Sequence, residues 1–218
     1  MTDQLWGRSM AFLKKNAVNV IAFLIIFGIL WLIVYLLLSP FIFMTGNVTV
    51  YFAFYGVLGA LDTIVLGGYV TSMYFGFKTA KDGNINYVQS VIAGFRLLGS
   101  KKTYLLSIAA FGAGGELIRS AFYLYITNLS VIGDFIGGVL FALATIVVFS
   151  ILSGSRGIFG FMGLFEEINK LSGNGGLVIL GALFITIVPY LGVLQAVTIP
   201  VAVAVLLSSG KLKTPVKL

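Results

Sequence analysis

A chain of 218 residues in which 59% are hydrophobic and only 10% charged cannot build a water-facing surface, because soluble domains give roughly a quarter of their residues to Asp, Glu, Lys and Arg. Cysteine and histidine are both absent, which excludes disulfides, thiolate nucleophiles, most zinc and haem sites and imidazole acid–base catalysis, so no cofactor or metal is expected. The net charge of +7 would suit nucleic acid, but the basic residues stand at the ends of apolar runs, where they orient a chain in a bilayer, and nucleic acid is not expected as a partner.

A hydrocarbon core is crossed by about 20 apolar residues. Residues 17–39 are wholly uncharged and stop at Pro40. This run is longer than the apolar core of a signal peptide and lacks a small-residue cleavage pattern, so it reads as a retained first helix. Residues 51–77 form a second run interrupted only by Asp62; residues 103–126 form a third, holding Glu116 and Arg119; residues 135–152 form a fourth. No charge falls between Lys170 and Lys211, which leaves room for two further spans with Pro189-Tyr190-Leu191-Gly192 as the tight turn, or for one bent span and a re-entrant segment. The expected fold class is all-α: a polytopic integral membrane bundle of about six transmembrane helices, forming a single transmembrane domain over residues 1–218.

With that layout every Lys and Arg except Arg119 falls on the side of the first residues, so both termini are expected in the cytoplasm of a multi-pass cell-membrane protein. The pattern Asn-x-Ser/Thr occurs at Asn47-Val48-Thr49 and Asn128-Leu129-Ser130. Both stretches fall in expected outer loops, which makes Asn47 and Asn128 candidate glycosylation acceptors, although such triplets also arise by chance in loops.

The inner connections carry helical periodicity. Ile85, Val88, Val91, Ile92, Phe95 and Leu98 share one side of a wheel, as do Ile158, Phe161, Phe165, Ile168 and Leu171, with a shorter version at Trp6, Met10 and Leu13. Each is expected to lie in the interface with basic ends toward anionic lipid at the cytoplasmic face. Because each precedes a pair of spans, and Gly56 to Val65 matches Gly138 to Val147 closely, the chain suggests three helix-hairpin repeats over residues 1–78, 79–154 and 155–218. Glycines at 154, 157, 160 and 163 and at 112, 114 and 115 would allow backbones to approach.

One constellation could carry chemistry. Asp62 sits near the middle of the second span and Glu116 and Arg119 from the middle to the outer third of the third span. A charge inside hydrocarbon costs about 3 kcal/mol on insertion scales, so each is expected to face the interior and find a partner: Glu116 with Arg119 three residues on, and Asp62 sharing Arg119. Tyr55, Thr63, Tyr69, Ser120 and Tyr123 could complete the network. Such a cluster either ties helices together or forms a midplane site.

The six-span layout, the Gly67-Gly68-Tyr69 stretch leading to Lys78, and Val188-Pro189-Tyr190-Leu191-Gly192 followed by Pro200 resemble polytopic membrane families that include the membrane domain accompanying some glycerophosphodiester phosphodiesterases. The resemblance implies a membrane module and carries over no catalytic residue. Two functions follow: a non-enzymatic accessory or scaffold subunit, partnered by other membrane subunits or by itself, or a channel or transporter for an ion or small solute using Asp62, Glu116 and Arg119. A membrane enzyme acting on lipid would have only scattered carboxylates and hydroxyls to work with.

Overall fold

The computed structural model describes residues 2–42, 46–80, 84–152 and 195–208. These form helices α1 (Thr2–Lys15), α2 (Ala17–Ile42), α3 (Val48–Thr79), α4 (Tyr87–Ser100), α5 (Lys102–Tyr125), α6 (Ser130–Leu152) and α7 (Gln195–Ser208), with a 3₁₀ turn at Thr127–Leu129 before α6. Four of them, α2, α3, α5 and α6, are long and apolar enough to cross a membrane. The fifth span, the turn at Pro189 to Gly192 and the amphipathic segment at 158–171 expected from the sequence lie outside the described residues; α7 falls within the expected sixth span.

The ends of the helices follow local chemistry. Pro40 does not stop α2, which runs on to Ile42. A proline nitrogen cannot bond to the carbonyl four residues back, and here the Ser39 hydroxyl donates to that carbonyl, on Leu36, at 2.8 Å. Asn47 caps α3, its side-chain oxygen accepting the Thr49 N–H at 2.8 Å. In α6 the helix opens at Ser130, so Asp134, just outside the expected fourth span, belongs to its second turn.

α3 is the central element, and α2, α4 and α5 run antiparallel to it. On α2, Phe27 packs on Tyr69 with ring centroids 5.5 Å apart, and Trp31 bonds Asp62. On α5, the Thr63 hydroxyl donates to the Ile108 carbonyl at 3.0 Å and Leu117 lies over Gly56. α4 steps back along the half of α3 that ends in Lys78: Gly94 packs on Ser72, and Leu98 and Phe95 pack on Gly67 and Gly68. Phe95, expected at the acyl boundary, is thus turned into the bundle, where it also stacks on Phe27 at 6.1 Å.

Residues Gly67 to Phe77 of α3 are consequently buried on every side, the environment an all-round apolar helix requires. Around them gather Phe23, Leu97, Ile108, Phe149 and Ile199. This core lies toward one end of the bundle, which also carries Lys14, Lys15, Lys78 and Lys102, all exposed. We call it the basic end.

α3 and α5 approach one another closely, backbone to backbone, at Gly59 and Gly112. A methyl group added at Gly112 would fall on the Gly59 carbonyl oxygen and 2.7 Å from the Thr63 methyl, and one at Gly59 would meet the Gly112 carbonyl. Backbone cannot yield as a side-chain tip can, so Gly112→Ala is expected to cost about 1–3 kcal/mol of stability as an overpacked contact. Gly28, whose added methyl meets nothing within 4 Å, should tolerate alanine within about 0.5 kcal/mol. Thermal unfolding in detergent checks both; a Gly112→Ala protein as stable as the parent would mean that α3 and α5 do not touch there.

Candidate intramembrane polar site

The Gly59–Gly112 contact sets the register of α5 on α3, and with it the depth of each charged side chain. Glu116, one turn beyond Gly112, lies over Gly59, where its Cγ and Cβ fill the space an alanine side chain would need. Arg119 follows on the side of α5 that faces α6. Its guanidinium Nη1 donates to Glu116 Oε1 at 2.8 Å, and its Nε stands 3.8 Å from Asp134 Oδ1 on α6. Asp134 also accepts the Tyr123 hydroxyl at 3.1 Å, and the Phe141 ring lies 5.1 Å from the guanidinium carbon.

The three charged side chains are shielded, at 16% exposure for Glu116, 20% for Arg119 and 12% for Asp134. At that burial, removing one partner is far more costly than the pair is favourable, because the remaining charge is left in low dielectric. The arrangement ties α5 to α6 near the end of the bundle opposite the basic one and leaves one negative charge in surplus.

Asp62 is not part of this cluster. Arg119 lies seven residues beyond Gly112 along α5 while Asp62 lies three residues to the other side of Gly59 on antiparallel α3, so at 1.5 Å per residue their backbones are separated along the bundle by about 15 Å; the two charges act on one another across the gap but make no ion pair. Instead of sharing Arg119, Asp62 takes a hydrogen bond on Oδ1 from the indole Nε1 of Trp31 in α2. The pair sits at the α2–α3 seam, Asp62 half-buried and Trp31 42% exposed. Ala144, the residue aligned with Asp62 in the expected repeat, is 1% exposed in the core, so the two matched strings place these positions in different surroundings.

The other expected polar residues divide. Thr63 bridges α3 to α5 and Tyr123 serves Asp134. Tyr55 lies against Tyr51, ring centroids 4.7 Å apart. Ser120 and Tyr69 are buried, and the Tyr69 hydroxyl has no hydrogen-bond partner among the described residues. Asn47 and Asn128 are both exposed.

Asp134 is the residue that sequence reasoning missed, because the fourth span was taken to begin at the residue after it. A signal for it exists: α5 and α6 are joined by a turn of a few residues around Thr127, so positions about equally far on either side, such as Arg119 and Asp134, must face each other across the hairpin.

Neither a protein-family model, nor a curated protein, nor a solved structure matches this chain.

Arg119→Ala should lower stability by about 3 kcal/mol or more, since it strands Glu116 and Asp134 together. Replacing Glu116, Arg119 and Asp134 at once by leucine, methionine and leucine should recover most of that loss. Trp31→Phe, which removes one neutral donor from the more open pair, should cost only about 1 kcal/mol. Thermal midpoints in detergent rank the three; equal losses for Arg119→Ala and Trp31→Phe would contradict the buried ion-pair account.

Proposed function

We propose that the chain is a six-span protein of the cell membrane with both termini in the cytoplasm, and that it works without enzymatic chemistry, as an accessory or scaffold subunit of a membrane assembly. The observation that carries this reading is that Arg119, the sole Lys or Arg away from the helix ends in the described spans, is engaged between Glu116 and Asp134 and joins α5 to α6. A charge engaged in this way serves packing; a solute site needs groups held open to its cargo.

The surroundings support the same reading. The groove of about 700 Å³ between α3 and α5 is lined by Val48, Phe52, Gly56, Val57, Ala60 and Leu117 among others, a surface that suits acyl chains or another helix better than an ion. The exposed lysines of the basic end, with exposed Arg96 beside them, would draw that face to anionic lipid by about 1 kcal/mol for each residue near the surface. In this orientation Asn47 and Asn128 lie outside and are open to glycosylation.

The second reading, a channel or transporter, has one observation in its favour: the second carboxylate oxygen of Asp62 accepts no hydrogen bond among the described residues. Flux measurements on the purified chain in liposomes separate the two. The scaffold reading expects no proton or ion flux above that of empty vesicles; flux abolished by Asp62→Asn would overturn it.

Topology has its own test, made clean by the absence of native cysteine. Single cysteines at Asn47 and Asn128 should react with a membrane-impermeant maleimide added to intact cells, and single cysteines at Lys14 and Lys78 should react only after permeabilisation. The reverse pattern would invert the orientation.

A further inference from the structure

Asp62 and Trp31 each lie about halfway along their helices, so their hydrogen bond sits at mid-depth in the membrane-crossing part of the bundle. One carboxylate oxygen is held by the indole and the other accepts no hydrogen bond among the described residues. Beside the pair, on the Trp31 side of α2, Gly28, Leu32 and Tyr35 are exposed, the last two at 49% and 38%. The Trp31 ring, stacked at 5.5 Å on Tyr35, forms a flat wall beside the carboxylate.

A carboxylate at that depth seeks a cation or a strong donor. The described spans do not provide one in contact with it, because the Arg119 guanidinium is engaged by Glu116 and Asp134. A second copy of this chain, inserted in the same orientation, would set Asp62 against Asp62, and like charges repel. Charge complementarity therefore selects a different occupant.

We propose that the α2–α3 seam at Asp62 and Trp31 is a docking site for a transmembrane helix of another protein that carries a lysine or arginine at mid-depth. The partner's cation bonds the open oxygen of Asp62 and lies against the Trp31 ring, while its apolar residues cover Gly28, Leu32 and Tyr35. This rests on the accessory-subunit reading and names the chemistry of the partner.

Trp31 is its own reporter once Trp6 is replaced by phenylalanine, since the chain has two tryptophans. The full chain with Trp6→Phe is reconstituted in phosphatidylcholine vesicles with a 20-residue leucine–alanine helix that bears one central lysine and a nitroxide one turn away. Quenching of Trp31 should show at least tenfold tighter association than with the same peptide carrying leucine in place of lysine. Moving the lysine seven residues off centre should remove the advantage, as should Asp62→Asn, which keeps the side chain's size and an acceptor for Trp31. Equal association of the lysine and leucine peptides with the parent chain overturns the proposal. So does an advantage that survives Asp62→Asn, which would place the attraction elsewhere, or a Trp31 signal that changes with protein density alone, which would make a second copy the occupant. The flux assay is independent of these outcomes, so a failed docking test leaves the scaffold reading standing, and flux would remove that reading without deciding whether a helix docks.

Discussion

The close approach of Gly59 and Gly112 is the constraint from which the polar architecture follows. In a bilayer no hydrophobic force draws one apolar helix to another, so contact depends on surfaces smooth enough for dispersion and on hydrogen bonds made across them. Gly59 and Gly112 supply the first and the Thr63 hydroxyl on the Ile108 carbonyl supplies the second. Once that contact is made, α5 cannot slide: Glu116 must lie over Gly59, and Arg119 must point toward α6 at the level of Asp134. A slip of one turn would drive Glu116 into the Gly59 backbone and take Arg119 away from Asp134.

The two polar ties that result are of different kinds. Glu116, Arg119, Asp134 and Tyr123 form a group between α5 and α6, shielded by Phe141, in which one cation serves two carboxylates. Trp31 and Asp62 form an open one between α2 and α3, a neutral donor on a carboxylate whose remaining oxygen accepts no hydrogen bond among the described residues. The difference comes from α2. Its first half is anchored by Phe23 and Phe27, which are 0% and 5% exposed, whereas beyond Trp31 most of its side chains are exposed. Among the described residues the bundle thus has a packed side and an exposed flank, and Asp62, with no cation in contact, belongs to the flank.

Much of this was legible in the sequence, and the exceptions are instructive. The four runs that became α2, α3, α5 and α6 announce themselves because an uninterrupted apolar stretch of that length has few other uses, and the Glu116–Arg119 pair follows from a spacing of three on one helix. Which carboxylate shares Arg119 was not legible, since Asp62 and Asp134 are equally good partners on chemistry alone. The choice depends on register, register depends on which of 27 glycines meets which, and composition does not rank them. Pro40 misled for a related reason: a proline ends a helix only if the carbonyl it orphans finds nothing else, and whether Ser39 would turn back to Leu36 is a matter of rotamer.

The segment that became α4 shows where periodicity stops being informative. A stripe at Ile85, Val88, Val91, Ile92, Phe95 and Leu98 fits a helix lying on a bilayer and equally a helix packed on protein, because both demand one apolar side. The deciding feature lies on α3, where Gly67, Gly68 and Ser72 carve a shallow trough that accepts Leu98, Phe95 and Gly94. Large side chains at those three positions would have kept α4 away and left its stripe to lipid. With the trough present, Phe95 and Leu98 turn inward, Val88 and Ile92 stay exposed, and the residual apolar edge of α4 is what remains for the interface. An amphipathic pattern states that a face must be covered; the side-chain size on the neighbouring helix decides by what.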